Sequence, residues 1–337
     1  MNKMMQAMQI KTYGQVPVQL VSVPVPAIEP TDVLVAVKAA GINPIDFKTR
    51  NGEVKLLAKH QMPLTLGHEF AGVIVKVGGQ VKQFKVGDEV YGRPRDSRIG
   101  TFAEYLEVDT GDIALKPQNL SFIEAAGLPL VGLTSYQALV DIAHIQAGQK
   151  VLIQAGAGGV GSIAIQLAKS LGAYVATTAS PTSTVLVKRF GADKVINYHQ
   201  QDFSQVLHGY DLVFDTLGHT NLKKAFRILK SGGRIVSVSG LPNARFARQT
   251  HRSWRKAVLF GLATLNLTWW EQKYHVRYDF LFMKANGAEL AKLTNLIEQG
   301  KIKPLVDQVF PLAKTQSALD YSEKGRAHGK IIVKVAD

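Results

Sequence analysis

The stretch VLIQAGAGGVGSIAIQLAKSLGA, residues 151–173, decides the fold. It opens on a β-branched run, turns through Gly156-x-Gly158-x-x-Gly161, and continues with apolar residues at helical spacing. Alone, such a glycine pattern is weak evidence; between a strand and an amphipathic helix each glycine has a task. The first permits a tight turn, the second lets backbone approach a pyrophosphate, and the third lets helix and strand pack closely. Gly159 and Val160 open the helix, whose unpaired N–H groups and positive dipole end suit phosphate. The stretch predicts a dinucleotide site.

Working outward, the downstream chain alternates strand and helix signals: YVATTA, FGADKVINY, YDLVFDTLG, LKKAFRILKSGG, RIVSVSG and VRYDFLFM. Strands separated by helices imply a parallel sheet covered on both faces. Upstream, residues 8–110 carry short valine-rich runs bounded by Gly, Pro and Asp, the pattern of a β-rich domain. Residues 121–143 have helical spacing, and the last fifty residues return to mixed character. The class is α/β in two domains, as a chain of 337 residues leads one to expect.

The end of the second strand of the sheet decides between the two nicotinamide cofactors. An NAD site places Asp or Glu there against the ribose hydroxyls. Here the strand ends in Thr178 and Ser180, and no carboxylate occurs between Asp141 and Asp193. A 2′-phosphate meets hydroxyls, with Lys188 and Arg189 nearby, and the expected cofactor is NADPH.

The absence of cysteine excludes disulfides, iron–sulfur clusters, thiolate zinc sites and a cysteine nucleophile. The formal net charge of +14 raises nucleic acid, an anionic membrane or an anionic cofactor as partners. Its densest cluster, RFARQTHRSWRK at 245–256, reads as a solvated face, and no nucleic acid is expected. The apolar run at 257–270 falls short of the ~20 residues needed to cross a bilayer. The opening residues lack the apolar core of a signal peptide, so a cytoplasmic protein without stable membrane insertion is expected.

Several motifs in order resemble the medium-chain dehydrogenase/reductase superfamily, in its zinc-independent quinone oxidoreductase and enone reductase branch. They are AAGINPIDFKTRNG (39–52), LGHEFAGVIVKVG (66–78), VGDEVYG (86–92), AGAGGVG (155–161), GADKVINY (191–198) and GRAHGK (325–330). The resemblance covers essentially the whole chain. It implies a GroES-like catalytic domain from 1–127 and 284–337, a Rossmann domain from 128–283, and a homodimer. In the zinc branch a strand-end Gly-x-Cys-x-x-Asp supplies a ligand; here GINPID puts Asn43 at the cysteine position, leaving His68 and Glu69 without thiolate partners. His68 is therefore expected to be hydrogen-bonded within the β-rich domain rather than to hold a metal.

Without a Lewis acid, oxidation of a plain alcohol is hard, whereas an electron-poor π-system accepts hydride readily. The function expected is hydride transfer from NADPH to a quinone or an α,β-unsaturated carbonyl. The resemblance places the loop NPIDFKTR at the nicotinamide. There Asn43 is a candidate donor to the developing oxygen, or an Asx turn before Pro44. Asp46 is a candidate to orient Asn43 or the ribose, or a helix cap. Lys48 resembles a cofactor-binding lysine, and Tyr198 a tyrosine against the 2′-phosphate. The loops carrying Leu217 and Leu241 end successive strands and are expected to border the nicotinamide. FLFM (280–283) is a candidate pocket lining, or core, and Arg326 a helix cap.

Two rival readings come from the charge. One is an NADPH-binding protein with a sensor or RNA-binding role. The other is a membrane-surface quinone reductase, suggested by the joined basic and apolar stretch at 252–270, for which a substrate flap or dimer surface is the plainer account.

Overall fold

The computed structural model describes residues 3–325 and 327–336. Internal contacts divide the chain into two units, Met1–Leu133 with Lys284–Asp337, and Thr134–Met283.

The second unit is built on six parallel strands in the order Lys194–Asn197, Tyr174–Ala179, Lys150–Ile153, Tyr210–Asp215, Leu229–Ser237 and Arg277–Phe280. Numbered along the chain this is 3-2-1-4-5-6, the dinucleotide-binding order. The central strands are apolar almost throughout because both faces are covered: Val151, Leu152, Ile153, Val213, Phe214, Ile235 and Val236 are buried. The helix Gly159–Ser170 buries the run from Gly161 to Ala168. The strand expected over VRYDFLFM is confined to Arg277–Phe280, and Leu281 and Met283 beyond it are core residues. The apolar run at 257–270 lies in two helices, Trp254–Ala263 and Leu265–Tyr274. Among the described residues no helix is long and apolar enough to cross a membrane.

The first unit is β-rich. Its long strand Asp32–Ile42 pairs antiparallel with Phe70–Val77, with Tyr105–Asp109 and with Lys330–Lys334. A three-stranded sheet of Gln19–Pro24, Met4–Ile10 and Leu64–Thr65 completes it. The pairing of Ile331 with Ile42 brings the C-terminal strand to the end of Asp32–Ile42, where the helix Pro44–Asn51 begins. This register places Lys330 at the candidate site. The contact boundary falls inside the helix Pro129–Tyr136, between Leu133 and Thr134, whereas the sequence places it between 127 and 128. The start of that helix is tied to the first unit, since Leu130 N–H donates to the Glu69 carboxylate.

Candidate active site and dinucleotide cradle

At the end of the strand Asp32–Ile42, four side chains close a buried network. The Asn43 amide donates to Glu69 Oε1 at 2.7 Å, and its oxygen accepts from Lys330 Nζ at 2.5 Å. The ammonium also bonds the Ile42 carbonyl at 3.0 Å and Glu69 Oε1 at 2.7 Å, so all three of its protons are engaged. Glu69 Oε2 accepts from Leu130 N–H at 2.7 Å. Gly41 must lack a side chain for this carboxylate to lie where it does, because a Cβ there meets Glu69 Oε1 at 2.2 Å. All four polar residues, Asn43, Asp46, Glu69 and Lys330, are buried.

Asp46 splits its carboxylate between two tasks. Oδ2 accepts the Asn43 N–H at 2.7 Å, capping the helix, and Oδ1 sits 2.6 Å from His68 Nδ1. A carboxylate on one ring nitrogen fixes the tautomer and orientation of an imidazole. The other nitrogen, Nε2, has no partner among the described residues. Close by, His60 keeps its Nε2 buried and unpaired, and burial, followed by the charge of His68, holds its pKa below the ordinary value.

This donor set does not fit zinc. Catalytic zinc needs three converging ligands, and here an amide stands in place of the thiolate. Glu69 is neutralised by Lys330, and His68 is turned onto Asp46 through Nδ1. Among the described residues no group of three His, Cys, Asp or Glu side chains could hold a metal.

The dinucleotide loop, by contrast, fits its cofactor. Gly158 caps the helix Gly159–Ser170 with no side chain in the way, leaving the first-turn N–H groups of Gly159, Val160 and Gly161 outside the helical ladder. The turn is pulled tight against the second strand: Gly156 N–H donates to the Thr178 carbonyl, and Ala155 N–H to the Thr178 hydroxyl, both at 3.0 Å. A Cβ on Gly161 lies 2.3 Å from the Ala155 carbonyl oxygen, and one on Gly156 lies 2.2 Å from Thr177 Oγ1. Neither position admits a larger residue without moving the loop. Gln154, immediately before the loop, is fully buried with both amide atoms unpartnered among the described residues. An orphaned polar group of this kind costs about 1–3 kcal/mol unless a ligand or water satisfies it.

Thr178 is thus a loop-holding residue, buried under the turn it bonds. Ser180 lies beyond the strand end, its hydroxyl bonded to Thr182 Oγ1 at 2.9 Å and Ser183 Oγ at 3.0 Å. Parallel pairing sets Ala179 opposite Asn197, so Ser180 and Tyr198 leave adjacent strands side by side. Tyr198 is exposed, its ring 4.4 Å from that of His199. Lys188 and Arg189 occupy the last turn of the helix Thr184–Arg189. Lys48 is half-buried in the helix Pro44–Asn51, and its ammonium has no partner among the described residues.

Leu217 and Leu241 are exposed on loops after the fourth and fifth strands, and a buried network braces both loops. Asp215 accepts from the N–H groups of Leu217 and Gly218 and, at 2.5 Å, from the Ser237 hydroxyl. Ser237 Oγ accepts from Gly240 N–H at 2.8 Å, and the Tyr278 hydroxyl donates to the Leu241 carbonyl at 2.8 Å. Burial pushes the Asp215 carboxyl above its usual range, against the lowering effect of these donors. Within FLFM, Phe280 packs edge-on against Phe246, Leu281 and Met283 are buried, and Phe282 is half-buried. Arg326 lies outside the described residues. Sequence reasoning missed Lys330 and Gln154 altogether, whereas the hydrogen bond it expects of His68 within the β-rich domain is the one to Asp46. The Lys in GRAHGK was the available signal for the first, and a polar residue ending an apolar strand for the second.

Comparison with known proteins accords with this geometry. Residues 29–118 match the alcohol dehydrogenase GroES-like domain family, and residues 190–333 match the zinc-binding dehydrogenase family. The chain is 36% identical to the 2-methylene-furan-3-one reductase of Solanum lycopersicum, covering 98% of this chain and 79% of that protein. It is equally identical to the chloroplastic NADPH-dependent alkenal/one oxidoreductase of Arabidopsis thaliana, over 98% of this chain and 80% of that one. The quinone oxidoreductase structure from Coxiella burnetii superimposes with a TM-score of 0.84 at 34% identity, covering 99% of this chain and all of the other.

Proposed function

The chain belongs to the medium-chain dehydrogenase/reductase superfamily, in its zinc-independent quinone and enone reductase branch, and from that premise we propose that it reduces a quinone or an α,β-unsaturated carbonyl with NADPH. The observation that carries the reading is the glycine cradle on a 3-2-1-4-5-6 sheet whose second strand ends in hydroxyls with no carboxylate. When bound, NADPH supplies the hydride.

The chain's residues hold and orient. Gly159, Val160 and Gly161 offer backbone N–H groups to the pyrophosphate, while Gly156 and Gly158, whose own N–H groups are bonded within the turn, keep the approach free of side chains, and Gln154 is buried just before them. Ser180 and Tyr198 receive the 2′-phosphate, Lys48 adds a cation, Thr178 fixes the turn, and Leu217 and Leu241 border the nicotinamide. Asn43 acts as a positioning residue, because its amide is engaged by Glu69 and Lys330 instead of being free to donate to substrate. Asp46 positions His68, whose open Nε2 passes a proton to the reduced acceptor when the ring is doubly protonated. A homodimer is the accompanying reading, carried by the family resemblance; a monomeric mass in light scattering overturns it.

The test is the initial rate of NADPH or NADH oxidation with a small quinone and a small enone, with and without chelator. Turnover with NADPH that ignores chelator, and is slower with NADH, is the expected result. Equal use of both cofactors overturns the cofactor assignment, and loss of activity with chelator overturns the metal-free reading. No turnover with either acceptor overturns the function.

A further inference from the structure

The helices Trp254–Ala263 and Leu265–Tyr274 expose an apolar face that the reductase chemistry does not use. Trp254, Val258 and Leu262 fall at i, i+4 and i+8 on the first helix, and Leu265 and Trp269 at i and i+4 on the second. All five are exposed, Trp254 at 72% and Leu262 at 63%. Their placement is deliberate in the packing sense, because the opposite faces anchor the pair. Phe260 and Thr264 are buried, and Trp270 packs edge-on against the core residue Phe226, with ring centroids 5.4 Å apart. Trp269, its neighbour, is turned outward.

The charge around this face is predominantly positive. Residues 245–275 contain six Lys or Arg (Arg245, Arg248, Arg252, Arg255, Lys256 and Lys273) against one carboxylate, Glu271. Glu271 is already bonded to Arg245. Two of the cations ride on the outward tryptophans: the Arg255 guanidinium lies 5.7 Å from the Trp254 ring centroid and Lys273 Nζ 4.8 Å from that of Trp269. Exposed tryptophan and leucine interleaved with cations match a lipid interface, where rings and stems sit at headgroup depth and the charges meet anionic headgroups. A second copy docked face to face on the same patch sets these cations against themselves with no free carboxylate to receive them.

We propose that this helix pair docks the protein peripherally onto an anionic lipid surface, without any segment crossing it. The inference goes beyond the reductase reading and does not rest on it. It is tested by flotation of the full chain with vesicles of phosphatidylcholine alone and of phosphatidylcholine with phosphatidylglycerol, together with tryptophan emission. Binding to the anionic vesicles only, weakened by salt and accompanied by a blue shift, is the expected result. R255E with K273E, both on the surface, lowers partitioning by about tenfold or more. Leu262→Asp weakens it without removing a cation. NADPH oxidation with a water-soluble acceptor stays unchanged in these variants, which separates failure of docking from failure of the reductase reading. Equal partitioning to both vesicle types, or retention of binding by both variants, overturns the proposal. So does self-association abolished by Leu262→Asp in a protein that ignores vesicles, which assigns the face to a second copy, and so does vesicle-independent binding of RNA through the same cations.

Discussion

Replacing Lys330 with Met removes the ammonium that holds Asn43, Glu69 and the Ile42 carbonyl while keeping most of the unbranched stem. Lys330 is 5% exposed and Glu69 is completely buried, so the variant strands a carboxylate in a medium that cannot solvate it. Breaking a buried pair by removing one partner costs about 3–5 kcal/mol, far more than the pair contributes relative to an apolar substitute. For a domain of this size each kcal/mol moves Tm by roughly 2–4 °C, so the expected fall is on the order of 10 °C. Thermal unfolding followed by circular dichroism reads it directly. The reasoning makes a second demand: Glu69→Gln in the same chain removes the stranded charge, so the double variant must be more stable than the sum of the single losses implies. A Tm within about 2 °C of the parent for Lys330→Met refutes the claim that the charge is uncompensated. Additive losses in the double variant refute the pairing itself.

Two further outcomes follow from neighbouring residues. His68→Phe is expected to lower kcat with an enone by about 100-fold, the scale of a lost proton donor, while leaving the KM for NADPH unchanged; Asp46→Asn is expected to move kcat in the same direction. Steady-state kinetics decide, and a fall in NADPH affinity with kcat preserved rules out the proton role. For His60, whose pKa is lowered chiefly by burial, the unfolded chain takes up the proton more readily than the folded one. Its contribution is therefore fully present above the ordinary value of 6.5 and is lost as pH falls from there towards the depressed folded value. Tm measured against pH should fall less steeply in that window for His60→Gln than for the parent chain, and parallel curves remove His60 as a source of acid sensitivity.

The cofactor half of the site was legible in the sequence because its chemistry is local. A glycine loop between a strand and a helix needs only neighbouring residues to specify it, and the missing carboxylate after the second strand can be read from composition alone. The absence of cysteine likewise limits the chemistry without any coordinates. What only the tertiary structure decided is the set of partners made by residues far apart in the chain. Lys330 reaches Asn43 across 287 positions because antiparallel pairing sets Ile331 opposite Ile42. His68 is oriented by an Asp46 that also looks like an ordinary helix cap. The run at 254–270 is largely apolar on paper in either case, and only packing determines that Phe260 and Trp270 turn inward while Trp254, Leu262 and Trp269 face out. Backbone conformation at a turn is set by the residues in the turn, whereas the partner of a buried charge is set by which strands the sheet brings together.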